Sequence, residues 1–300
     1  ELNCNSSDIT IIAGMADYPA AVVHSSFDPA TMASGSVGTG PFVLESHEVG
    51  VKSVSVKNEG FDWWGYSAGR ECPLDRIEYI DYGTDPAAWL AAAEADEVDC
   101  FYENVGEYVD VMEGIGWENS EIATGSTILI RPNQTTPDAD GNTVYADKRV
   151  RQALAMAVDN NICLELGYAN KGAPADNHHA GSMHPEHDPS VGRLPYDPAK
   201  AKALMAEAGM ADYEHELISI DDDWRKNTTD AVAAQLRDAG IKVKRTILPG
   251  STFWNDWAKY PFSSTNWNHR PFAVQVWGLA YRSGEAWNEM GWSNAEFDAL

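Results

Sequence analysis

The chain contains 300 residues, which is enough for one or two domains with a sizeable hydrophobic core. It carries 46 acidic and 21 basic residues, with a formal net charge of −25 and an isoelectric point near 4.5. Because phosphate binding needs a net basic surface, this charge argues against a nucleic-acid partner or an anionic membrane surface. No apolar run approaches the roughly 20 residues that span a bilayer.

Short apolar runs alternate with turn-forming residues over residues 1–34, which we interpret as the end of a domain whose start is absent. The sequence GTGPF at residues 38–42 then leads into two segments in which apolar residues alternate with polar ones. Glycine and proline ahead of such alternation predict a turn that feeds an antiparallel pair of strands. A phosphate-binding loop is not predicted there, because no Gly-Lys-Ser/Thr sequence follows.

A strand–helix–strand unit is predicted after this hairpin, with strands at residues 77–82 and 98–102 and a helix at residues 86–95. The loop that follows the second strand carries Glu103 and Asn104. Open α/β sheets bind their ligands in the crevice outside the carboxyl ends of the strands. We therefore predict that Glu103 and Asn104 bind a ligand.

An amphipathic helix is predicted to begin after Asp147, whose carboxylate can accept from the first unpaired backbone N–H groups. Apolar residues recur at helical spacing until Asn160 and Asn161 interrupt the pattern, and a second apolar run follows. The apolar face of the first run consists of Val150, Leu154, Ala157 and Val158. Core packing is the ordinary role of such a face.

The remaining pattern alternates strands with helices. It predicts strands at residues 126–131, 216–220 and 241–247 and helices at residues 197–209 and 227–239. Asp197 is the predicted cap of one helix, with Pro198 in its first turn, and Asn227 or Thr228 is the predicted cap of the other. The last two strands should be parallel and joined by a right-handed crossover.

Three pieces occur in a fixed order: GTGPF at residues 38–42, the helical run at residues 147–172, and YDPAKAKALMAEAG at residues 196–209. In that order the chain resembles the extracellular solute-binding proteins, family 5, of peptide-type ABC importers. The resemblance implies an α/β, periplasmic-binding-protein-like fold of class II, with two lobes whose mixed sheets are flanked by helices. It also implies the large three-domain type, truncated.

On this resemblance, residues 1–34 are the tail of the small accessory domain and residues 35–146 are part of the base lobe, domain I. Residues 147–300 are then the second lobe, domain III, incomplete at its C-terminus. The chain starts at Glu1 without a signal-like segment and ends within a helical pattern. We therefore expect that pieces are missing at both termini.

The last 50 residues are rich in tryptophan, and the segment NWNHRP at residues 266–271 carries amides, an imidazole and a guanidinium beside Trp267. So many polar groups favour a ligand-binding loop over a segment packed in the hydrophobic core. Core packing is the alternative for each tryptophan, and an ion pair within the domain is the alternative for Arg270. The predicted ligand-binding residues here are Trp267, His269, Arg270, Trp277 and Tyr281.

In peptide-binding relatives, the loop after the corresponding tryptophan often offers an aspartate to the ammonium group of the peptide. Here that position holds Asn268, His269 and Arg270. A cation cannot attract an ammonium group, whereas a guanidinium suits a carboxylate through two parallel N–H···O bonds. This departure favours a solute with an exposed acid group, or one bound through hydroxyls and ring faces.

Four histidines lie close together, at His178, His179, His184 and His187, and three of them in a tetrahedral site would bind zinc or nickel. Their spacing fits no zinc signature, and the segment is interrupted by proline and glycine. We therefore interpret them as polar loop residues and predict no metal site and no cofactor.

The four cysteines, Cys4, Cys72, Cys100 and Cys163, match no zinc spacing and no CxxC motif. In an exported protein Cys72 and Cys100 are the expected disulfide partners. The alternative is four buried thiols.

Catalytic signatures are weak. No GxSxG is present, and no cysteine–histidine pair has a recognisable local motif. Carboxylate pairs abound in so acidic a chain, so a glycosidase-like hydrolase has no specific support and stays an alternative. We predict that the protein is not an enzyme.

The resemblance predicts the substrate-binding component of an ABC importer, which closes by hinge motion on a small solute in an interlobe cleft and delivers it to permease subunits. The solute is expected to be peptide-like or carboxylated, from the peptide, opine or oligosaccharide class. The alternative is a nickel-chelate binding protein. The protein is expected to be a monomer, periplasmic or extracellular as a membrane-tethered lipoprotein.

Overall fold

The computed structural model describes residues 3–4, 7–17, 20, 22–34, 37–102 and 106–300. The chain divides into two compact units, one formed by residues 14–92 and the other by residues 1–13 with 93–300. The strands are β1 (Phe42–Glu48), β2 (Lys52–Lys57), β3 (Arg76–Ile80), β4 (Thr127–Pro132), β5 (Glu214–Ile220), β6 (Lys242–Leu248) and β7 (Phe262–Trp267).

The α-helices in the described residues are α1 (Ile11–Gly14), α2 (Trp64–Ser67), α3 (Pro86–Glu94), α4 (Tyr108–Gly114), α5 (Lys148–Met156), α6 (Asn160–Tyr168), α7 (Pro198–Glu207), α8 (Asp223–Asp238), α9 (Gly250–Asp256), α10 (Ala273–Ala280) and α11 (Ala295–Asp298). Short 3₁₀ helices occupy Pro29–Ser34 and Val144–Ala146. Within the ranges described, none of the helices combines the length and the apolar character needed to cross a membrane.

The smaller unit is built on an antiparallel sheet in the order β1-β2-β3. Phe42 is opposite Lys57 in the first pair, and Lys52 is opposite Ile80 in the second. Gly50 has a φ of +73° in the turn between β1 and β2, a conformation that favours glycine. The hairpin predicted from the alternating segments is confirmed.

The predicted strand at residues 98–102 is wrong. The segment is irregular, Cys100 and Tyr102 are exposed, and the strand β3 pairs in its sheet with β2 instead. Alternation with Glu97 and Asp99 resembles a strand, but the segment buries no continuous apolar face that a sheet could cover. The first predicted strand–helix–strand unit therefore consists of β3 and α3 alone.

The larger unit contains a four-stranded sheet in the order β4-β7-β5-β6. The strands β5 and β6 are parallel, β7 is parallel to β5, and β4 runs antiparallel to β7. The predicted parallel unit β5-α8-β6 is confirmed. Because β5, β6 and β7 share a direction, their carboxyl ends lie at one edge of the sheet, which we call the carboxyl edge, and β4 begins there.

The pairing of β4 with β7 crosses a predicted boundary. Residues 35–146 were assigned to a base lobe and residues 147–300 to a second lobe, yet Thr127 and Trp267 are partners in one sheet. The compact units also divide at residues 13–14 and 92–93. The assignment of the chain to three named domains stays a prediction.

Aspartate caps begin the main helices of the larger unit. The side chain of Asp147 accepts from the backbone N–H of Arg149, and that of Asp197 accepts from Lys200, as predicted. The predicted start of α8 is wrong, because Asp222 caps this helix and α8 begins at Asp223 rather than near residue 227. An aspartate competes well with asparagine and threonine for the cap position.

Helices α5, α7 and α8 cover the sheet and form the main hydrophobic core. Val150 on α5, Leu217 on β5 and Leu236 on α8 are completely buried within it. This packing confirms the apolar face predicted for the first helical run, and it holds the carboxyl edge on a rigid support.

All four cysteines are free, so the predicted disulfide between Cys72 and Cys100 is wrong. Cys4 and Cys100 are exposed, and Cys72 and Cys163 are half-buried. The alternative of four buried thiols is therefore wrong as well.

Candidate functional site

The loop after β7 is held by the segment that precedes β4. The backbone N–H of His269 donates to Ser126 Oγ at 3.0 Å, and the backbone N–H of Gly125 donates to His269 Nδ1 at 2.9 Å. These contacts follow from the antiparallel register, which places Thr127 opposite Trp267 and so brings the flanking residues together. The loop is thus fixed by its neighbour along the carboxyl edge.

A second segment, which contains His184, packs on this loop. The His184 ring lies nearly parallel to the His269 ring, with centroids 6.1 Å apart and an angle of 23°. Its Nδ1 accepts from the backbone N–H of Gly181 at 2.9 Å, and its Nε2 is 3.0 Å from the Arg270 carbonyl oxygen. A carbonyl oxygen only accepts, so the proton of a neutral His184 is on Nε2.

Glu186, two residues further on, holds the start of α10. Its carboxylate accepts from the backbone N–H groups of Ala273 at 3.2 Å and Val274 at 3.3 Å. A carboxylate at a helix N-terminus satisfies unpaired donors and complements the helix dipole. Residues 178–187, which we call the histidine segment, therefore contact both ends of the turn that links β7 to α10.

Trp267 lies in an aromatic cluster and is only 5% exposed. Its indole Nε1–H donates to Glu289 Oε1 at 2.8 Å, and the rings of Trp257 and Trp287 pack against it. The guanidinium of Arg270, itself 2% exposed, lies over its face at 5.5 Å. A cation over an indole face is favourable, so the two predicted residues are brought together.

Glu289, the acceptor of the Trp267 indole N–H, belongs to a buried ion pair that the sequence analysis did not predict. Arg131 Nε is 2.8 Å from Glu289 Oε2, and both side chains are almost fully buried. Burial raises the pKa of Glu289 and lowers that of Arg131 to about 10, because each charged form loses hydration. One signal was available, since Arg131 lies within the apolar strand TILIRP, where a lone cation requires a partner.

The two remaining aromatic predictions lie at α10. The ring of Tyr281 meets the ring of His179 edge to face at 5.5 Å, and burial raises the Tyr281 pKa. Trp277 is half-buried on α10, and its carbonyl accepts from the backbone N–H of Tyr281 at 3.0 Å. Tyr281 thus joins the Trp267 cluster through His179, whose ring also packs on Trp267.

Two predicted residues, Glu103 and Asn104, lie outside the described residues. Their prediction depends on a strand at residues 98–102, and the structure forms no strand there. Their role therefore stays a prediction.

The four clustered histidines lie in a loop, as predicted, but His179 and His184 are buried there. His179 lies in the Trp267 cluster with its pKa lowered to about 4, chiefly by burial, and His184 uses both ring nitrogens in hydrogen bonds. A metal bound through His184 would break one of those bonds. Within the described ranges, no three His, Cys, Asp or Glu residues are grouped so as to hold a metal ion.

The amino-acid sequence matches the family of bacterial extracellular solute-binding proteins, family 5 (middle), over residues 3–288. The chain belongs to this family. The architecture of this family 5 chain agrees with that, since it is α/β with a mixed sheet flanked by helices.

Curated relatives are longer than this family 5 chain. Heme-binding protein A of Haemophilus influenzae is 25% identical over 100% of the chain and 56% of its own length. The dipeptide-binding protein of Escherichia coli is 25% identical over 66% of the chain and 36% of its own length. The chain therefore spans about half, or less, of the curated relatives that it matches.

Solved structures share the fold. NikA of Staphylococcus aureus, in complex with Ni(L-His)2, has a TM-score of 0.80 at 18% identity, covering 98% of this chain and 62% of that one. An oligopeptide ABC transporter substrate-binding domain of Bacillus anthracis has a TM-score of 0.71 at 22% identity, covering 87% and 51%. The predicted periplasmic-binding-protein-like fold is confirmed.

Gly125 should be essential to the packing of the loop in this family 5 chain. A Cβ at this position would lie 2.6 Å from the His184 ring and 3.2 Å from His269 Nδ1. We expect Gly125→Ala to lower the free energy of unfolding by about 1–3 kcal/mol, because two rings held by hydrogen bonds must move. Urea denaturation measures this change.

Gly278 provides the matched control. It lies within α10, where an added Cβ meets nothing within 4 Å. Gly278→Ala should be neutral or stabilising by up to about 1 kcal/mol, since alanine favours the helix. Equal destabilisation by both substitutions would show that the Gly125 contacts carry no special cost.

Proposed function

We propose that this family 5 chain belongs to the substrate-binding component of an ABC importer. It captures a small solute outside the cytoplasmic membrane and delivers it to permease subunits, without breaking bonds in the solute. Family membership supports capture and delivery, and the loop after β7 supports the place of binding. This loop lies at the carboxyl edge, where open α/β sheets bind ligands.

The solute site is built on the loop after β7. Trp267 and Arg270 are buried and form its floor, with the guanidinium lying on the indole face. His269 is exposed and forms its rim. Tyr281 supports the floor through His179, and Trp277 lies further along α10. Glu103 and Asn104 complete the proposed set, and capture between two lobes stays a prediction.

The proposed solute is a peptide-like or carboxylated compound. The relatives named above bind heme, dipeptides or a nickel–histidine complex, so family membership alone leaves the class open. Near the position where peptide-binding relatives often place an aspartate, this chain has Asn268, His269 and Arg270, and the guanidinium of Arg270 suits a carboxylate. The opine class fits in the same way through its carboxylates, and the oligosaccharide class fits through ring stacking on aromatic side chains.

The proposal also includes the location and the oligomeric state of the protein. A protein that hands a solute to a membrane importer works in the periplasm, or outside the cell with a lipid tether. It also works as a monomer. No observation favours a hydrolase or a dedicated nickel site over solute capture.

Thermal shift tests the proposal directly. We expect the melting temperature of the full-length protein to rise by several degrees with its solute, because a ligand that binds only the folded state stabilises it. The panel contains di- to pentapeptides with free and blocked termini, opines, oligosaccharides, heme and Ni(L-His)2. Turnover of chromogenic glycosides, or no shift with any member, would contradict capture of such a solute.

Calorimetry on two arginine variants tests the site. Arg270→Ala should weaken binding of the best panel member at least about tenfold, as expected for loss of a charge-assisted hydrogen bond. Arg282→Ala is the matched control, since this arginine is exposed and its ion pair with Glu285 is long, at 4.0 Å. Equal affinity of Arg270→Ala and the parent would remove Arg270 from the site.

A further inference from the structure

The orientation and protonation of the His269 ring are determined by its neighbours. The backbone N–H of Gly125 donates to Nδ1 at 2.9 Å, so Nδ1 must carry a lone pair rather than a proton. In a neutral imidazole the proton is then on Nε2, because the hydrogen bond made by one nitrogen decides the state of the other. The neutral ring therefore has a single donor, Nε2–H.

Several contacts favour this neutral state. A protonated ring would direct Nδ1–H at the Gly125 N–H, replacing a hydrogen bond with two opposed donors. The ring contacts the His184 ring and the backbone N–H of Gly125, while Ser126 Oγ accepts from the backbone N–H of His269. The charged residue next in sequence is Arg270. Partial burial and the nearby His184 lower the pKa of His269, in agreement with the geometry.

The donor nitrogen Nε2 of His269 is not used by these partners. The residue is exposed, and within the described part of the chain Nε2 makes no hydrogen bond. The ring is held at Nδ1, and its own backbone N–H is held by Ser126. Such locking pre-organises a side chain for binding, because little rotamer entropy is left to lose.

Resting on the function proposed above, we infer that His269 Nε2–H donates to a hydrogen-bond acceptor of the solute, a carboxylate or carbonyl oxygen. An ammonium group cannot fill this position, because it offers only donors. His269 is thus a specificity-determining residue that selects the acceptor end of a solute. The rim of the site therefore presents a hydrogen-bond donor to the solute, whatever the net charge of the loop.

Two substitutions test the roles of the two ring nitrogens separately. His269→Asn keeps an oxygen near the Nδ1 position to accept from Gly125, but removes the distal donor. His269→Gln keeps a donor near the Nε2 position, but loses the anchor. The probe is trialanine, with trialanine amide and N-acetyl-trialanine as companions, and calorimetry at pH 7 measures the affinity.

We expect His269→Asn to weaken trialanine binding about five- to tenfold, the range for one lost hydrogen bond. His269→Gln should lose less than His269→Asn. Blocking the amine with an acetyl group should leave the His269→Asn effect unchanged. If His269→Asn binds trialanine as tightly as the parent does, the donor assignment is wrong, although capture of the solute would stand.

Nuclear magnetic resonance of the protein labelled with ¹⁵N-histidine tests the tautomer without any ligand. The His269 signal, identified by its loss in His269→Asn, should show a bare Nδ1 and a protonated Nε2 at pH 7. An Nδ1–H tautomer or an imidazolium would overturn the inference whatever the protein binds. If the tautomer is as expected but no trialanine form binds, a peptide solute is excluded and the inference about its acceptor fails with it.

Discussion

The Glu289→Gln variant should lose about 3–5 kcal/mol of its free energy of unfolding, the usual cost of removing one partner from a buried ion pair. Glutamine keeps the shape of the side chain and can still accept from the Trp267 indole N–H. The guanidinium of Arg131 would then remain buried without its carboxylate, which is 2.8 Å away in the parent. Urea denaturation with an unchanged m-value measures the loss.

Two further variants test the cause. Asp256→Asn removes one partner of the exposed Lys259 pair, whose side chains are 76% and 54% exposed, and should cost less than about 0.5 kcal/mol. The double variant Arg131→Met/Glu289→Leu should recover much of the lost stability, since no buried charge remains. A cost below about 1 kcal/mol for Glu289→Gln would show that solvent reaches the pair.

The ion pair also explains why Trp267 is so firmly placed. Glu289 Oε1 accepts from the Trp267 indole N–H. Arg131 Nε donates at 3.2 Å to Oγ1 of Thr265, which lies on β7 two residues before Trp267. Arg131 therefore connects β7, which leads into the candidate site, to the segment that carries Glu289. A network in which every member is hydrogen-bonded specifies one arrangement of the core better than apolar packing alone.

Local signals predicted much of the fold. The caps at Asp147 and Asp197 and the turn of the β1–β2 hairpin depend on residues a few positions apart. The parallel β5-α8-β6 unit follows from the order strand, helix, strand along the chain. Helix caps and turns are decided by such short-range hydrogen bonds, so the sequence alone is sufficient for them. The predicted start of α8 was wrong because Asp222 takes the cap position five residues ahead of Asn227.

The candidate site was less predictable, because its contacts join distant positions. Arg131 and Glu289 are 158 residues apart, and His269 and Gly125 are 144 residues apart. Periodicity carries no information on such pairs. Polarity and size predict Trp267 and Arg270 as ligand-binding residues, yet both are buried, because Trp267 packs in an aromatic cluster and the Arg270 guanidinium lies over its ring.

Acid should destabilise the protein between about pH 6.5 and pH 4 through its buried histidines. Burial lowers the pKa of His215, and chiefly burial that of His179, to about 4, below the ordinary value of 6.5. The unfolded chain therefore takes up protons first, so the stability present above pH 6.5 is lost as the pH falls toward 4. At about 1.4 kcal/mol per pH unit, each histidine contributes about 3 kcal/mol.

His215 is the better of the two for a test, because it lies outside the candidate site. Its ring is completely buried among aromatic side chains, with Tyr213 edge to face at 4.8 Å and Phe262 at 6.2 Å. The Tyr145 hydroxyl is 3.1 Å from its Nδ1. A proton added here has no water to hydrate it, so the charged ring favours the unfolded chain.

His215→Phe should flatten the pH dependence of unfolding by about 3 kcal/mol between pH 7 and pH 4, since it keeps the aromatic packing and removes the titrating group. Tyr145→Phe is the control, because it removes the hydroxyl from the 3.1 Å contact with His215 and leaves the buried imidazole in place. That variant should be less stable by about 1 kcal/mol at each pH while keeping the full slope. Parallel curves for His215→Phe and the parent would show that His215 does not contribute to the acid sensitivity.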